Sequence, residues 1–219
     1  MEPQEKILLK HNNFLDIDVV LSYAQCNLFN LLLYTTQATD SSKIKMLDLH
    51  LFFGYVFREN TFIKSCLDAL VKYKVISFFL IHDGVLEYVF SDGILENLHP
   101  EHHFYKIDIV IASKFSTRDA YIIYSVLRCY EGVLYSIVFT ETSLRRYLKT
   151  SLYFNYKKGR ERLFRKFKRA VCEINQKTTY NLGVEKGKKE QEKHLKIFLI
   201  LKKSQEKIKP IVIQEVARL

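Results

Sequence analysis

Helical periodicity twice gives way to a strand–turn–strand pattern, and the same order of helices precedes each change. This predicts an α+β chain of two tandem winged-helix domains, each a helix-turn-helix with a β-hairpin wing. Three observations carry the expectation. Asp83 and Gly84 lie between V-I-S-F-F-L-I and V-L-E-Y-V-F, and an Asp-Gly pair between β-rich runs supplies the left-handed backbone of a tight hairpin turn. Two further β-like runs, 180–184 and 195–201, flank the charged E-K-G-K-K-E-Q-E-K-H. A helix, a short helix and a long helix precede each hairpin, so the duplication is one of pattern rather than of letters.

Taken in order, Ser22 and Gln25 form a capping box, in which hydroxyl and amide satisfy the orphan N–H groups of a helix start. L-F-N-L-L-L-Y carries that helix to about 37. After the polar turn T-D-S-S, a short apolar piece spans 46–53 and ends at Gly54. A second amphipathic helix over 60–73 runs through Phe62, Ile63, Cys66, Leu67 and Leu70, and the first hairpin follows. Pro100 and accumulated charge place a join around 99–106, dividing the chain into 1–105, 106–203 and a tail, 204–219, to which no conformation is assigned. In the second unit, Ser116 to Asp119 reads as another capping box, leading a helix through Tyr121, Ile123, Tyr124 and Leu127. Thr140 caps the short helix T-S-L-R-R-Y-L.

The most informative segment comes next, over 160–178: R-E-R-L-F-R-K-F-K-R-A-V-C-E-I-N-Q-K-T. Leu163, Phe164, Phe167, Ala170, Val171 and Ile174 recur at the spacing that gathers side chains onto one stripe of a helix. With Phe167 at the centre and roughly 100° per residue, Arg162, Arg165 and Arg169 fall nearly opposite, and Lys166 and Lys168 take the flanks. Mutual repulsion among cations does nothing to stabilise a lone helix. A helix packed by its apolar back and presenting arginines fits the major groove of B-DNA; a merely solvated basic face is the alternative.

Charge supports a polyanionic partner. Residues 1–139 hold 12 Lys and Arg against 16 Asp and Glu, net −4, whereas residues 140–219 hold 22 against 8, net +14. Phosphate neutralisation supplies the sequence-independent share of nucleic-acid affinity. An anionic membrane competes as partner, but the apolar side of the basic helix is committed to a core. No run reaches the roughly 18 apolar residues of a membrane span. M-E-P-Q-E-K lacks the basic-then-apolar order of a secretory signal, so a cytoplasmic location is expected. Cys26, Cys66, Cys129 and Cys172 form no C-x-x-C pair and read as buried, reduced thiols.

Catalysis finds little support. H-P-E-H-H at 99–103 converges poorly for a metal, and Asp16 and Asp18 read as surface acids. No His-x-His accompanies the 14 tyrosines, as a nicking, rolling-circle initiator would need. No G-x-x-x-x-G-K-[ST] loop is present to hold a triphosphate, and G-V-E-K-G-K is too short. Neither catalytic activity, nor a cofactor, nor a bound metal is expected.

With that architecture in place, several stretches resemble the initiator Rep family of theta-replicating iteron plasmids of bacteria. They are L-S-Y-A-Q-C-N-L-F-N-L-L-L-Y after K-H-N-N-F-L, then S-K-F-S-T-R-D-A-Y-I-I-Y-S-V-L, F-T-E-T-S-L-R-R-Y-L, F-K-R-A-V-C-E-I-N-Q-K-T-T-Y and K-H-L-K-I-F-L-I-L. The similarity spans about 10–203 and is strongest in the second unit. There Arg118, Tyr121, Leu144, Arg145, Phe167, Val171, Glu173, Ile174 and Asn175 stand at places resembling the family's signature positions. The join between the halves is shorter and richer in His and Glu than the family often has. The resemblance implies binding to tandem repeats, the iterons, in double-stranded origin DNA, chiefly through the second domain. It implies that the first domain contacts DNA and mediates dimerisation. It also implies a monomer/homodimer equilibrium in which monomers help melt the origin and recruit host initiator and replicative helicase, while dimers repress their own gene.

The residues themselves suggest a division of labour. Arg162, Arg165 and Arg169 are candidates to read base edges, one or two of them bidentate to guanine. Lys166 and Lys168, Lys157 and Lys158 just before the helix, and Lys186, Lys188 and Lys189 in the wing are candidates for phosphates. In the first unit Arg58, Asn60 and Lys64 offer a thinner edge. A winged-helix transcriptional regulator would present the same groove-reading surface, and a DNA-nicking enzyme is the reading from another class.

Overall fold

The computed structural model of the chain describes residues 6–53, 60–99, 101, 103–131, 136–150, 156–186 and 194–199. Two compact units divide after Ser113. In the first, β1 (Ile7–His11), α1 (Phe14–Val20) and α2 (Tyr23–Thr39) precede β2 (Lys43–Lys45), α3 (Met46–Phe52) and α4 (Asn60–Lys72). The hairpin of β3 (Ile76–His82) and β4 (Val85–Phe90) follows, and α5 (Asp92–Leu95), β5 (Phe104–Asp108) and α6 (Ile109–Ser113) complete the unit. The second unit runs α7 (Arg118–Tyr130), β6 (Ser136–Thr140), α8 (Glu141–Tyr147), α9 (Tyr156–Lys177), β7 (Leu182–Lys186) and β8 (His194–Leu199).

Each unit repeats one order: helix, short strand, short helix, helix, hairpin. The sheets repeat too, as β2-β4-β3 in the first and β6-β8-β7 in the second. In both, the short strand joins the second hairpin strand in antiparallel register, Ile44 opposite Leu86 and Val138 opposite Lys196. The sequence pattern gives the helices and hairpins but not these third strands.

Local chemistry explains the boundaries. At the start of α2 the Ser22 hydroxyl accepts from the Gln25 N–H, and the Ser22 N–H donates to Gln25 Oε1 at 2.8 Å. The helix ends at Asp40 in a left-handed conformation. Between β3 and β4, Asp83 and Gly84 both have positive φ, 48° and 72°, the combination that a two-residue turn needs to match strand twist. Leu28, Phe29, Leu32 and Leu33 of α2 are fully buried at the centre of the first unit. There Tyr88 donates to the Leu32 carbonyl at 2.9 Å and shares a 2.8 Å hydrogen bond with Thr36 Oγ1. Burial pushes its phenol up to about 12.

Three expectations change. The division expected at 105/106 falls inside β5, which pairs with β1 from Ile7 opposite Asp108 to His11 opposite Phe104. Asp108 then caps α6, accepting from the N–H groups of Val110 at 2.8 Å and Ile111 at 3.1 Å, so the first unit runs on to Ser113. Asp18, expected at the surface, is completely buried. It accepts from Lys10 Nζ at 2.7 Å, and Lys10, itself fully buried, also donates to Asn30 Oδ1 at 2.7 Å and lies over the Phe29 ring. A buried charge is tolerated when paired and hydrogen-bonded in this way. Of the four cysteines, Cys26 and Cys66 are buried, but Cys172 is exposed on α9. Pro100 and His102 of the histidine-rich stretch lie outside the described residues.

Candidate nucleic-acid interface

Helix α9 takes its orientation from its apolar back. Leu163, Phe167, Ala170, Val171 and Ile174 are all buried, and Phe167 meets Phe139 of β6 edge to face at 5.8 Å. Burying such side chains stabilises the docking by about 1.5–3 kcal/mol each for the larger ones. Phe164, placed on the same stripe by the sequence, is only half-buried and lies under the ammonium of Lys168 at 5.0 Å.

Side-chain hydrogen bonds and ion pairs fix the helix at several heights. Near its start, Arg160 Nε donates to Glu141 Oε2 at 2.7 Å, while the other oxygen of Glu141 accepts from Nη2 of the buried Arg145 at 2.6 Å. Burial would raise the Glu141 carboxyl, but hydrogen bonds from Arg145 and Arg160, with their charges, outweigh it and hold the group below its ordinary value. In the middle, Lys166 Nζ lies 3.2 Å from Asp119 of α7 and donates to the Leu148 carbonyl beyond α8. Toward the end, the Glu173 carboxylate accepts from the Ser116 N–H and, at 2.6 Å, from the Thr117 hydroxyl. A negative group beside the first turn of α7 also opposes the positive end of that helix's dipole.

The last contact changes the expected start of α7. Its N-cap is Thr117, whose hydroxyl oxygen accepts from the Ala120 N–H at 3.2 Å. The carboxylate near Ser116 is supplied by Glu173 rather than by Asp119, whose carboxylate turns instead to Lys166.

The sequence-predicted site residues therefore separate. Arg162, Arg165, Lys168 and Arg169 are exposed, and among the described residues neither Arg165 nor Arg169 has an ion-pair partner. Lys166, expected on a phosphate, is instead turned toward α7 and α8, because Asp119 and the Leu148 carbonyl lie beneath that flank. Lys157 and Lys158, expected just before the helix, fall in its first turn, since α9 begins at Tyr156; their side chains lie outside the described residues. Lys186 closes β7, its side chain likewise outside, and Lys188 and Lys189 are outside the described residues altogether. In the first unit Asn60 and Lys64 are exposed on α4, while Arg58 lies outside the described residues.

The roles of Glu141, Asp119 and Glu173 in seating α9 escaped the sequence reading. Glu173 is one of two acids, with Glu161, on the otherwise basic helix, and that sparse charge was the visible signal. What the geometry provides is a rigidly seated helix with guanidinium groups facing solvent, able to enter a groove without first ordering itself.

The chain has the fold of an initiator protein. The Pi initiator protein, solved in complex with iteron DNA, matches with a TM-score of 0.63 over 89% of this chain and 97% of that one, at 15% sequence identity. No protein-family model matches the sequence, and no curated protein does. The shared fold thus extends over nearly the whole of both chains with little identity of letters. No helix among the described residues is long and apolar enough to cross a membrane.

Proposed function

We propose that this chain is a plasmid replication initiator, built from two winged-helix domains, that binds tandem repeats in origin DNA through α9. The observation that carries this reading is the exposed arginine face of a helix whose back buries Leu163, Phe167, Ala170, Val171 and Ile174. The fold held in common with a protein solved on iteron DNA supports it. Arg162, Arg165 and Arg169 read base edges. Lys168, Lys157, Lys158 and the lysines of the wing hold phosphates. The protein is cytoplasmic, needs no cofactor or metal, and has no catalytic activity of its own; it promotes origin melting and brings host initiator and replicative helicase to the site.

The first unit serves dimerisation, in a monomer/homodimer equilibrium. Supporting this, β3 is an outer strand of its sheet, and Phe78, Leu80 and Val89 are 57%, 46% and 50% exposed. An apolar outer strand is a ready template for pairing with another chain. DNA contact by this unit through Asn60, Lys64 and Arg58 is secondary, because the exposed side of α4 carries Asp68 beside Lys64.

The test is replication. A plasmid carrying this gene and its upstream repeats should be maintained in a host unable to use the vector's other origin. Binding without maintenance would leave only a regulator. Relaxed circles, or a covalent tyrosine adduct, after incubation of supercoiled origin DNA with protein and divalent metal would establish nicking and overturn the proposal.

A further inference from the structure

The wing and α9 are tied by one side chain that the proposed DNA contacts do not use. Asn175 lies near the end of α9, half-buried, on a different flank from the arginines. Its carboxamide faces the backbone of Leu182, the first residue of β7. Nδ2 donates to the Leu182 carbonyl at 3.0 Å, and Oδ1 accepts from the Leu182 N–H at 2.8 Å. A carboxamide carries one donor and one acceptor side in the same plane as a peptide group does, so Asn175 pairs with Leu182 as a neighbouring strand would.

The pairing falls where it is needed. β7 is the outer strand of its sheet, and both backbone groups of Leu182 point away from β8 toward Asn175. Leu182 and its partner Leu199 are therefore a non-hydrogen-bonded pair of the ladder. The intervening turn is fixed as well. Thr178 donates through its hydroxyl to the Ile174 carbonyl at 2.8 Å, and the Tyr180 N–H donates to Thr178 Oγ1 at 3.1 Å. The Tyr180 hydroxyl donates to Glu131 at 2.8 Å and accepts from Arg128 at 3.0 Å. A stiff helix followed by a pinned turn and a two-point clamp leaves β7 little freedom relative to α9.

We propose that Asn175 is a positioning residue that fixes the spacing between the arginine face of α9 and strand β7, which ends at the phosphate candidate Lys186. Base reading and phosphate holding then engage one duplex together. This rests on the reading of α9 and the wing as the DNA-binding surface. Two separately tethered contacts would each bind more weakly, whereas preorganised ones add their free energies without a further ordering cost.

The experiment is a double-mutant cycle on the full chain with Asn175→Asp and Lys186→Ala. The probes are a duplex that the wild-type protein selects from a randomised pool and a scrambled duplex of equal length. Asp is isosteric with Asn but, ionised, cannot donate to the Leu182 carbonyl. Asn175→Asp should lower affinity for the selected duplex by about tenfold and make the salt slope shallower by more than one, because each lost phosphate contact removes roughly 0.9. Adding Lys186→Ala on top should then cost little, so the two substitutions are non-additive. Additive losses, or an unchanged slope, would overturn the coupling and leave Asn175 a purely structural residue. Thermal unfolding monitors folding, and Asn175→Ala, which removes the clamp without adding charge, replaces Asn175→Asp in the cycle if the latter does not fold. A wild-type protein that selects no duplex at all would refute the DNA-binding reading itself, an outcome distinct from additivity.

Discussion

At the residue scale, the cations of α9 and of the wing are expected to differ in their measurable consequences. Arg165→Ala should remove discrimination between selected and scrambled duplex, at a cost of about 1–3 kcal/mol on the selected one. Lys188→Ala should weaken both alike and reduce the salt slope by about one. Lys166→Met should behave unlike either: stability falls by up to about 1 kcal/mol through loss of the Asp119 pair and the Leu148 bond, with no change in salt slope. Comparative titrations over a range of salt, beside thermal melts, check all three. Glu141 yields a pH prediction. Its carboxyl is held below the ordinary value in the folded protein, so its contribution is fully present above the unfolded-state value and is lost as pH falls through the lower folded one. Wild type should therefore lose melting temperature below about pH 4.5, the ordinary carboxyl range, more steeply than Glu141→Gln, and the two should converge in strong acid. The outward arginines were legible in sequence because exposure follows helical phase. The inward turn of Lys166 was not, because its partner Asp119 comes from another helix and only tertiary packing brings them together.

At the element scale, helices and hairpins were readable where a local signal set them. The capping box at Ser22 and the Asp83-Gly84 turn each carry their own stereochemistry. Strands β1, β2, β5 and β6 were not readable. Each is short, and its pairing partner lies far along the chain, so alternation has little length in which to show. β1 adds a second obstacle: Lys10 occupies a fully buried position where the pattern calls for an apolar residue. The Lys10–Asp18–Asn30 cluster is what locks that strand against α1 and α2. Lys10→Met should cost about 3–5 kcal/mol, since it strands a buried carboxylate. Pairing it with Asp18→Leu should recover much of the loss, and denaturant titration of both variants decides.

At the scale of the whole molecule, the imbalance of charge between the first 139 residues and the rest was legible from composition alone, and it agrees with the basic helix lying in the second unit. The open edge at β3 was not legible, because which hairpin strand is outermost depends on where β2 adds. Phe78→Lys should shift the sedimenting species toward monomer at micromolar concentration while leaving DNA discrimination by the second unit intact. A variant that stays dimeric would place self-association elsewhere.

The threefold anchoring of α9 has a practical corollary for retargeting. Glu173, Lys166 and Arg160 have intramolecular duties, so evolution or a library that altered them would lose the scaffold before gaining a new address. Arg165 and Arg169, exposed and without an ion-pair partner among the described residues, form the permissive positions. On the proposed reading of α9, a collection randomised at those sites alone should remain largely foldable and yield proteins that select altered duplexes, so that specificity can diverge while the scaffold stays constant.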